Sequence, residues 1–335
     1  MLDSELDVTT IALAQMDVQT GYPEANLDRA CNFAAQAQAA GADLLLLPEL
    51  WLHGYDLEQA ETWAVPLGEG GFLGMAEMAR RFHLHVAGTL LERHAGGISN
   101  TAVLYAPDGG LLAAYRKVHL FRLMQEDQYL VPGDHAVLCP TPWGATGLSI
   151  CYDLRFPEFF RALALAGVTL FLVSAQWPVP RLEAWLILAR ARAVENEVFV
   201  AACNRVGRQG TTVFPGRSCV VGPLGRVLVE GDGQERLLVA RINPHQVKAA
   251  RRYLPVYEDR RPKAYRVERA SQRESESAGQ GAMVRQLPPV SQPQPSIWMI
   301  WPSRVRTKAT LGIDSRNCCC QVLSKPCSGA MAQPS

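Results

Sequence analysis

Four consecutive leucines, Leu44 to Leu47, constrain the fold more than any other stretch of this 335-residue chain. A strand that is apolar at every position offers no face to water, so it belongs in a sheet covered on both sides. The neighbouring segments supply the cover. Residues 26–40 are Ala-rich with apolar side chains at helical spacing, and Gly41 ends them. Residues 70–82 read as a second helix. Strands are expected at 8–14, 84–90, 98–106 and 111–118, with Pro107-Asp108-Gly109-Gly110 turning a hairpin between the last two. Beyond Cys151 a helix is expected at 157–166, opened by Pro157 and closed by Gly167. A buried strand at 168–174, a long helix at 181–197 and a strand at 198–202 follow. The late β section covers 216–221, 226–230 and 236–242, turns at Gly222-Pro223-Leu224-Gly225, and gives way to a short helix capped by Asn243 and running through Ala250. Alternating βα units combined with hairpins predict an α/β protein of mixed sheets flanked by helices.

Composition narrows the function classes. At 48% hydrophobic and 19% charged the chain can bury a large core. A formal net charge of +1 gives no reason to expect nucleic acid or an anionic membrane as partner. The basic cluster Arg251-Arg252 with Arg260-Arg261 reads as a solvated end of the domain. No apolar run approaches the roughly 18 residues of a spanning helix, and the acidic residues 1–7 lack a signal core. A cytoplasmic protein is expected. Of the nine cysteines, Cys31, Cys139, Cys151, Cys203 and Cys219 sit singly in apolar segments, and four more fall at 318, 319, 320 and 327. That scatter, without any Cys-x-x-Cys pair, predicts reduced thiols rather than a disulfide framework or structural zinc. His83 and His85 alternate on an expected strand and share a face, but no third ligand accompanies them, so no metal is expected.

Three polar residues stand at the ends of apolar strands. Glu49 follows the leucine run and Pro48, Lys117 ends 111–116, and Cys151 closes 145–150. Polar groups at strand ends point into the crevice where sites form. A carboxylate there can take a thiol proton, and an ammonium can hold developing negative charge. The segment Cys151-Tyr152-Asp153-Leu154-Arg155-Phe156-Pro157-Glu158 passes from strand to helix, a setting in which helix amides lower a thiol pKa. The Tyr152 N–H would lie beside any tetrahedral intermediate on Cys151. His119 is close enough in sequence to Lys117 to suggest a Cys–His pair, although a structural hydrogen bond is the expected role. Asp153 and Arg155 are read as an ion pair or loop anchor, with substrate orientation as the alternative.

Leu47-Pro48-Glu49, Tyr115-Arg116-Lys117-Val118-His119-Leu120-Phe121 and the Cys151 block resemble the three signature blocks of the nitrilase superfamily, the carbon–nitrogen hydrolases. Ala191-Arg192-Ala193-Val194-Glu195-Asn196, Asn204-Arg205-Val206-Gly207 and Pro255-Val256-Tyr257-Glu258-Asp259-Arg260-Arg261-Pro262 extend the resemblance over residues 8 to about 266. It implies a four-layer αββα sandwich that assembles as a homodimer or higher homo-oligomer. It implies Glu49 as base, Lys117 as electrophilic stabiliser and Cys151 as nucleophile, with no metal or organic cofactor. A second glutamate commonly follows the lysine in this family, and Glu126 is the candidate ahead of Asp127.

The Cys-Tyr-Asp-Leu-Arg-Phe-Pro-Glu block and Gln176-Trp177-Pro178-Val179-Pro180-Arg181 are similar to the omega-amidase, or Nit-type, branch, whose members act on small amides such as 2-oxoglutaramate. A cation should then meet the substrate's far carboxylate, and Arg155, Arg181 and Arg122 are the candidates. Competing readings are a deaminated-glutathione amidase, a carbamoylase, a nitrilase, or a non-catalytic protein on the same fold. The hydrolase domain is expected to span 1–266. Residues 267–335 are polar, Pro-interrupted and low in complexity, and are expected to be a disordered tail.

Overall fold

The computed structural model describes residues 8–267. The acidic opening and the low-complexity stretch with its four late cysteines lie outside the described residues. Two units divide the chain, one through Arg260 and one from Arg261. In the second, the described part is one 3-10 turn, Pro262–Ala264.

In the first unit, β1 (Thr9–Gln15) leads through helix α1 (Pro23–Ala39) to β2 (Leu44–Leu46). The short helix α2 (Ala60–Trp63) and the longer α3 (Gly70–Phe82) precede a meander of β3 (His85–His94), β4 (Gly97–Tyr105) and β5 (Leu111–Arg116). One turn of helix, α4 (Glu126–Tyr129), separates this half from β6 (Leu138–Thr141), β7 (Gly144–Ile150), α5 (Pro157–Leu165), β8 (Leu170–Ala175), α6 (Leu182–Asn196) and β9 (Phe199–Asn204). The hairpin β10 (Val206–Gln209) and β11 (Thr212–Pro215) follows, then β12 (Cys219–Val221), β13 (Val227–Glu230), β14 (Arg236–Ile242) and α7 (His245–Tyr253).

Two six-stranded sheets result, ordered β14-β1-β2-β3-β4-β5 and β13-β12-β9-β8-β7-β6. Period-two alternation divides β1 and β2 of the first sheet between two cores. Ile11, Leu13, Leu44 and Leu46 face inward with Leu148, Ile150, Leu170 and Leu172 of the other sheet. Ala12, Ala14, Leu45 and Leu47 face outward against Phe33 of α1 and Phe72, Met75 and Phe82 of α3. Phe160 of α5 and Trp185 of α6 cover the second sheet. The order of layers is therefore αββα, as the resemblance implies. Truncating a core leucine such as Leu45 to Ala would cost about 2–5 kcal/mol.

The elements fall close to the expected ranges. The β4–β5 hairpin turns where Gly109 takes φ 81°, a conformation that glycine tolerates. The loop residue Asn243 accepts the His245 N–H through Oδ1 at 2.9 Å, as anticipated for the start of α7. One placement differs. His83 does not share a strand face with His85: it caps α3 in the left-handed region at φ 52°. His85 instead sets its ring edge-to-face on Trp143 at 4.7 Å. Among the described residues, no helix is long and apolar enough to cross a membrane.

Candidate active site

The site forms where strands of both sheets end side by side. Ile150 pairs in parallel with Ser174, so Cys151 emerges beside Gln176. Across the gap between sheets, Ser174 Oγ donates to Leu47 O at 2.7 Å and Glu49 N to Ala175 O at 3.4 Å. These bonds tie the end of β2 to the end of β8.

Ile150 is extended, and Cys151 turns abruptly into the left-handed region at φ 43°. For a residue other than glycine that costs on the order of 1 kcal/mol or more, so surrounding contacts must hold it. Asp153 does so. Its Oδ2 accepts from Ile150 N and from Tyr115 OH, both at 2.8 Å, and its Oδ1 lies 2.8 Å from His119 Nδ1. Arg192 donates to Leu154 O through Nε at 3.0 Å and Nη2 at 2.6 Å. Asp153 is thus a loop anchor, and the ion pair it might have made with Arg155 does not form. His119 bonds to Asp153 and stacks on Phe156 at 3.6 Å, in keeping with a structural role.

Behind the thiol lies a sealed charge cluster. Lys117 Nζ donates to Glu49 Oε1 at 2.8 Å and to Glu126 Oε1 at 2.6 Å, and all three side chains have 0% exposure. Glu49 Oε1 also accepts from Asn100 Nδ2 at 2.8 Å, and Oε2 from Gln176 N at 2.9 Å. Glu126 accepts from Phe121 N at 2.5 Å and from the Tyr55 hydroxyl. Burial alone would push the Lys117 ammonium down, but Glu49 and Cys151 beside it hold its pKa above the usual value. Burial, then the Glu49 charge, lifts the Glu126 carboxyl well above the carboxylate range. One ammonium between two buried carboxylates favours retention of an extra proton in the cluster.

The thiol departs from expectation. Burial and the Glu49 charge raise the Cys151 pKa well above normal, and Lys117 offsets them only in part. Helix amides do not win here: Cys151 is 7% exposed, and desolvation penalises its anion. The resting sulfur is a neutral thiol, so its attack needs a proton acceptor.

A narrow cleft opens over Cys151 between Tyr55, Phe121, Tyr152 and Trp177, with Arg155 and Arg181 also lining it. Arg155 lies over the Trp177 ring at 5.3 Å and Arg181 over Phe121 at 5.1 Å. Partial burial and the neighbouring Arg155 charge lower the Arg181 pKa. Arg122 lines an adjoining groove with Leu123 and Asp127 that shares Phe121 and Tyr152 with this cleft, and it is not among the residues lining the cleft itself.

Asn100, Gln176 and Tyr55 were not singled out from the sequence as site residues. Asn100 had a signal: it is an amide inside the buried strand run Ile98-Ser99-Asn100-Thr101.

This chain belongs to the carbon–nitrogen hydrolase family, whose model matches residues 10–252. Within the nitrilase superfamily it falls in the Nit-type branch, and it is an enzyme acting on non-peptide C–N bonds. It is 37% identical over 257 residues to a 2-oxoglutaramate amidase of Bacillus subtilis, covering 76% of this chain and 99% of that protein. To the human omega-amidase NIT2 it is 32% identical over 268 residues, covering 77% and 97%. Among solved structures it resembles a variant of the amidase from Nesterenkonia sp. AN1, at TM-score 0.66 and 31% identity, covering 77% and 99%. That variant shows covalent addition of the acetamide moiety of fluoroacetamide at its active-site cysteine.

Proposed function

We propose that this protein is a cysteine-dependent amidase that hydrolyses the terminal amide of a small dicarboxylic acid monoamide, with 2-oxoglutaramate as the leading substrate, to the acid and ammonia. The observation that carries the reading is the cleft itself. Its floor holds a thiol, with the buried Glu49–Lys117 pair behind it, and its walls hold two guanidiniums with no carboxylate partner among the described residues. The names of the relatives point to the same chemistry.

Cys151 Sγ attacks the amide carbon as Glu49 takes the thiol proton. Lys117 and the Tyr152 N–H hold the oxyanion. Collapse breaks the C–N bond while Glu49 returns the proton to nitrogen, and ammonia leaves a thioester on Cys151. Water then attacks the thioester, Glu49 takes its proton, and collapse releases the acid and restores the thiol. Glu126 fixes Lys117 from its other side. A positioned proton carrier contributes about 10²–10⁴ in rate and an oxyanion donor about 10²–10³. Arg155 and Arg181 grip the far carboxylate and set the amide over the sulfur. A homodimer in the cytoplasm completes the reading, and light scattering tests the assembly.

Ammonia release from 2-oxoglutaramate, deaminated glutathione and a simple nitrile, with Cys151→Ala as blank, tests the function. The highest kcat/KM is expected for 2-oxoglutaramate. Faster turnover of either competitor would replace the substrate, and turnover by Cys151→Ala would end the covalent route.

A further inference from the structure

A carboxylate has about four lone-pair positions. In Glu49, Oε1 spends both on Asn100 Nδ2 and Lys117 Nζ, whereas Oε2 spends one, on Gln176 N. The open position is therefore on Oε2, the oxygen that Gln176 holds.

Gln176 is in turn held from behind. Its Nε2 donates to Glu49 O at 2.7 Å, and its Oε1 accepts from Arg205 Nη1 at 3.1 Å. A guanidinium only donates, so the amide oxygen must face Arg205 and the amide nitrogen must face Glu49. The orientation of the Gln176 side chain is thus dictated by Arg205.

Arg205 is fully buried and cannot wander. Nε donates to Val206 O at 3.1 Å, Nη2 donates to Val18 O, and the guanidinium lies over the Phe214 ring at 4.4 Å. Asp17 Oδ1 is 3.5 Å away. Burial lowers its pKa to about 10, which leaves it charged at neutral pH. Val18 follows β1 of one sheet, and Gln176 and Arg205 follow β8 and β9 of the other. The network spans the same gap that Glu49 must bridge.

We infer that Arg205 and Gln176 are positioning residues for the reaction: Arg205 locks the Gln176 side-chain amide onto the Glu49 main-chain O while the Gln176 N–H holds Oε2, and the two bonds together set the Glu49 carboxylate so that Oε2 receives the Cys151 proton. The inference rests on the assignment of Glu49 as base. It does not depend on which amide is the substrate.

Alkylation of Cys151 by iodoacetamide tests it. The sulfur forms a bond to carbon, iodide leaves, and the thiol proton passes to Glu49. The full chain with Gln176→Met keeps the backbone N–H but loses both amide contacts, and with Gln176→Glu it can pair with Arg205 but cannot donate to Glu49 O. Both should melt as cooperatively as the parent by circular dichroism. At neutral pH each should be alkylated about 10- to 100-fold more slowly, the range expected when a reacting group is displaced by about 1 Å. kcat should fall in parallel while KM moves by less than about threefold. The deficit should narrow as pH rises towards the thiol's own ionisation. Arg205→Lys keeps a charge without the planar fork, and it should fall between parent and Gln176→Met.

An unchanged rate and pH profile in folded Gln176→Met, or parental alkylation by Gln176→Glu, would overturn the inference. A parent chain that alkylates rapidly but hydrolyses none of the amides, with the Gln176 variants still slow, would reject the substrate reading and leave this one standing.

Discussion

At the floor of the cleft, Lys117 meets Glu49 at 2.8 Å and Glu126 at 2.6 Å with no exposure to water. At its walls, Arg155 and Arg181 lie over aromatic rings and pair with no carboxylate among the described residues. The charges of the floor are paired, so removing one partner strands another charge out of water, at about 3–5 kcal/mol. The walls are unsatisfied, and a guanidinium waiting over an aromatic face loses little when the fold is all that counts. On the proposed function, bond making belongs to the first region and choice of substrate to the second.

Substitutions can test that division. Cys151→Ala should have the largest effect, a loss of about 10⁴-fold or more in kcat with an unchanged circular dichroism spectrum. Glu49→Gln and Lys117→Ala should follow at about 10²–10⁴-fold, and Lys117→Ala should also lower Tm because it leaves the buried carboxylate charge of the cluster uncompensated. Glu126→Gln should cost about 10- to 100-fold in kcat, the range for a reacting group displaced by about 1 Å.

Glu126→Gln should also change how stability depends on pH. The folded pKa of Glu126 lies well above its ordinary 4.5. Between those values the native state binds the extra proton, so parent stability falls as pH rises, by up to about 1.4 kcal/mol per pH unit. The Gln variant lacks that contribution, so denaturation midpoints measured from acid to neutral pH should show a shallower slope.

The walls should give the smallest effects. Arg181→Ala or Arg155→Ala should raise KM for 2-oxoglutaramate about tenfold, the worth of one charged hydrogen bond. Neither should alter turnover of a neutral short amide, and Arg122→Ala should leave both parameters within about twofold. A wall variant that lost kcat on every amide would erase the distinction between the two regions.

Much of the floor was legible in the sequence because strand ends announce it. Glu49, Lys117 and Cys151 each follow an apolar run, and Glu126 came from the resemblance. Leu44 to Leu47 made a doubly covered strand legible, and the four-layer order came from the resemblance. Asn100, Gln176, Tyr55 and Arg205 were not legible as partners. Gln176 reaches Glu49 across 127 positions of sequence and Asn100 across 51, and no local pattern encodes such a meeting. The thiol was misjudged for a physical reason. Its short 3-10 turn, Cys151–Arg155, offers amides, but desolvation at 7% exposure outweighs them. His83 was misplaced because a left-handed histidine can stop a helix where glycine is the usual signal.

The pairing of β14 with β1, in which Thr9 meets Ile242, has a consequence for biosynthesis. Every reactive side chain has been translated by Gln176, yet the first strand of the barrier between solvent and core still lacks its outer neighbour. A nascent polypeptide at that stage carries Glu49, Lys117, Glu126 and Cys151 without the complete enclosure. On the proposed function, activity should therefore appear late, once β14 leaves the ribosome and pairs with β1.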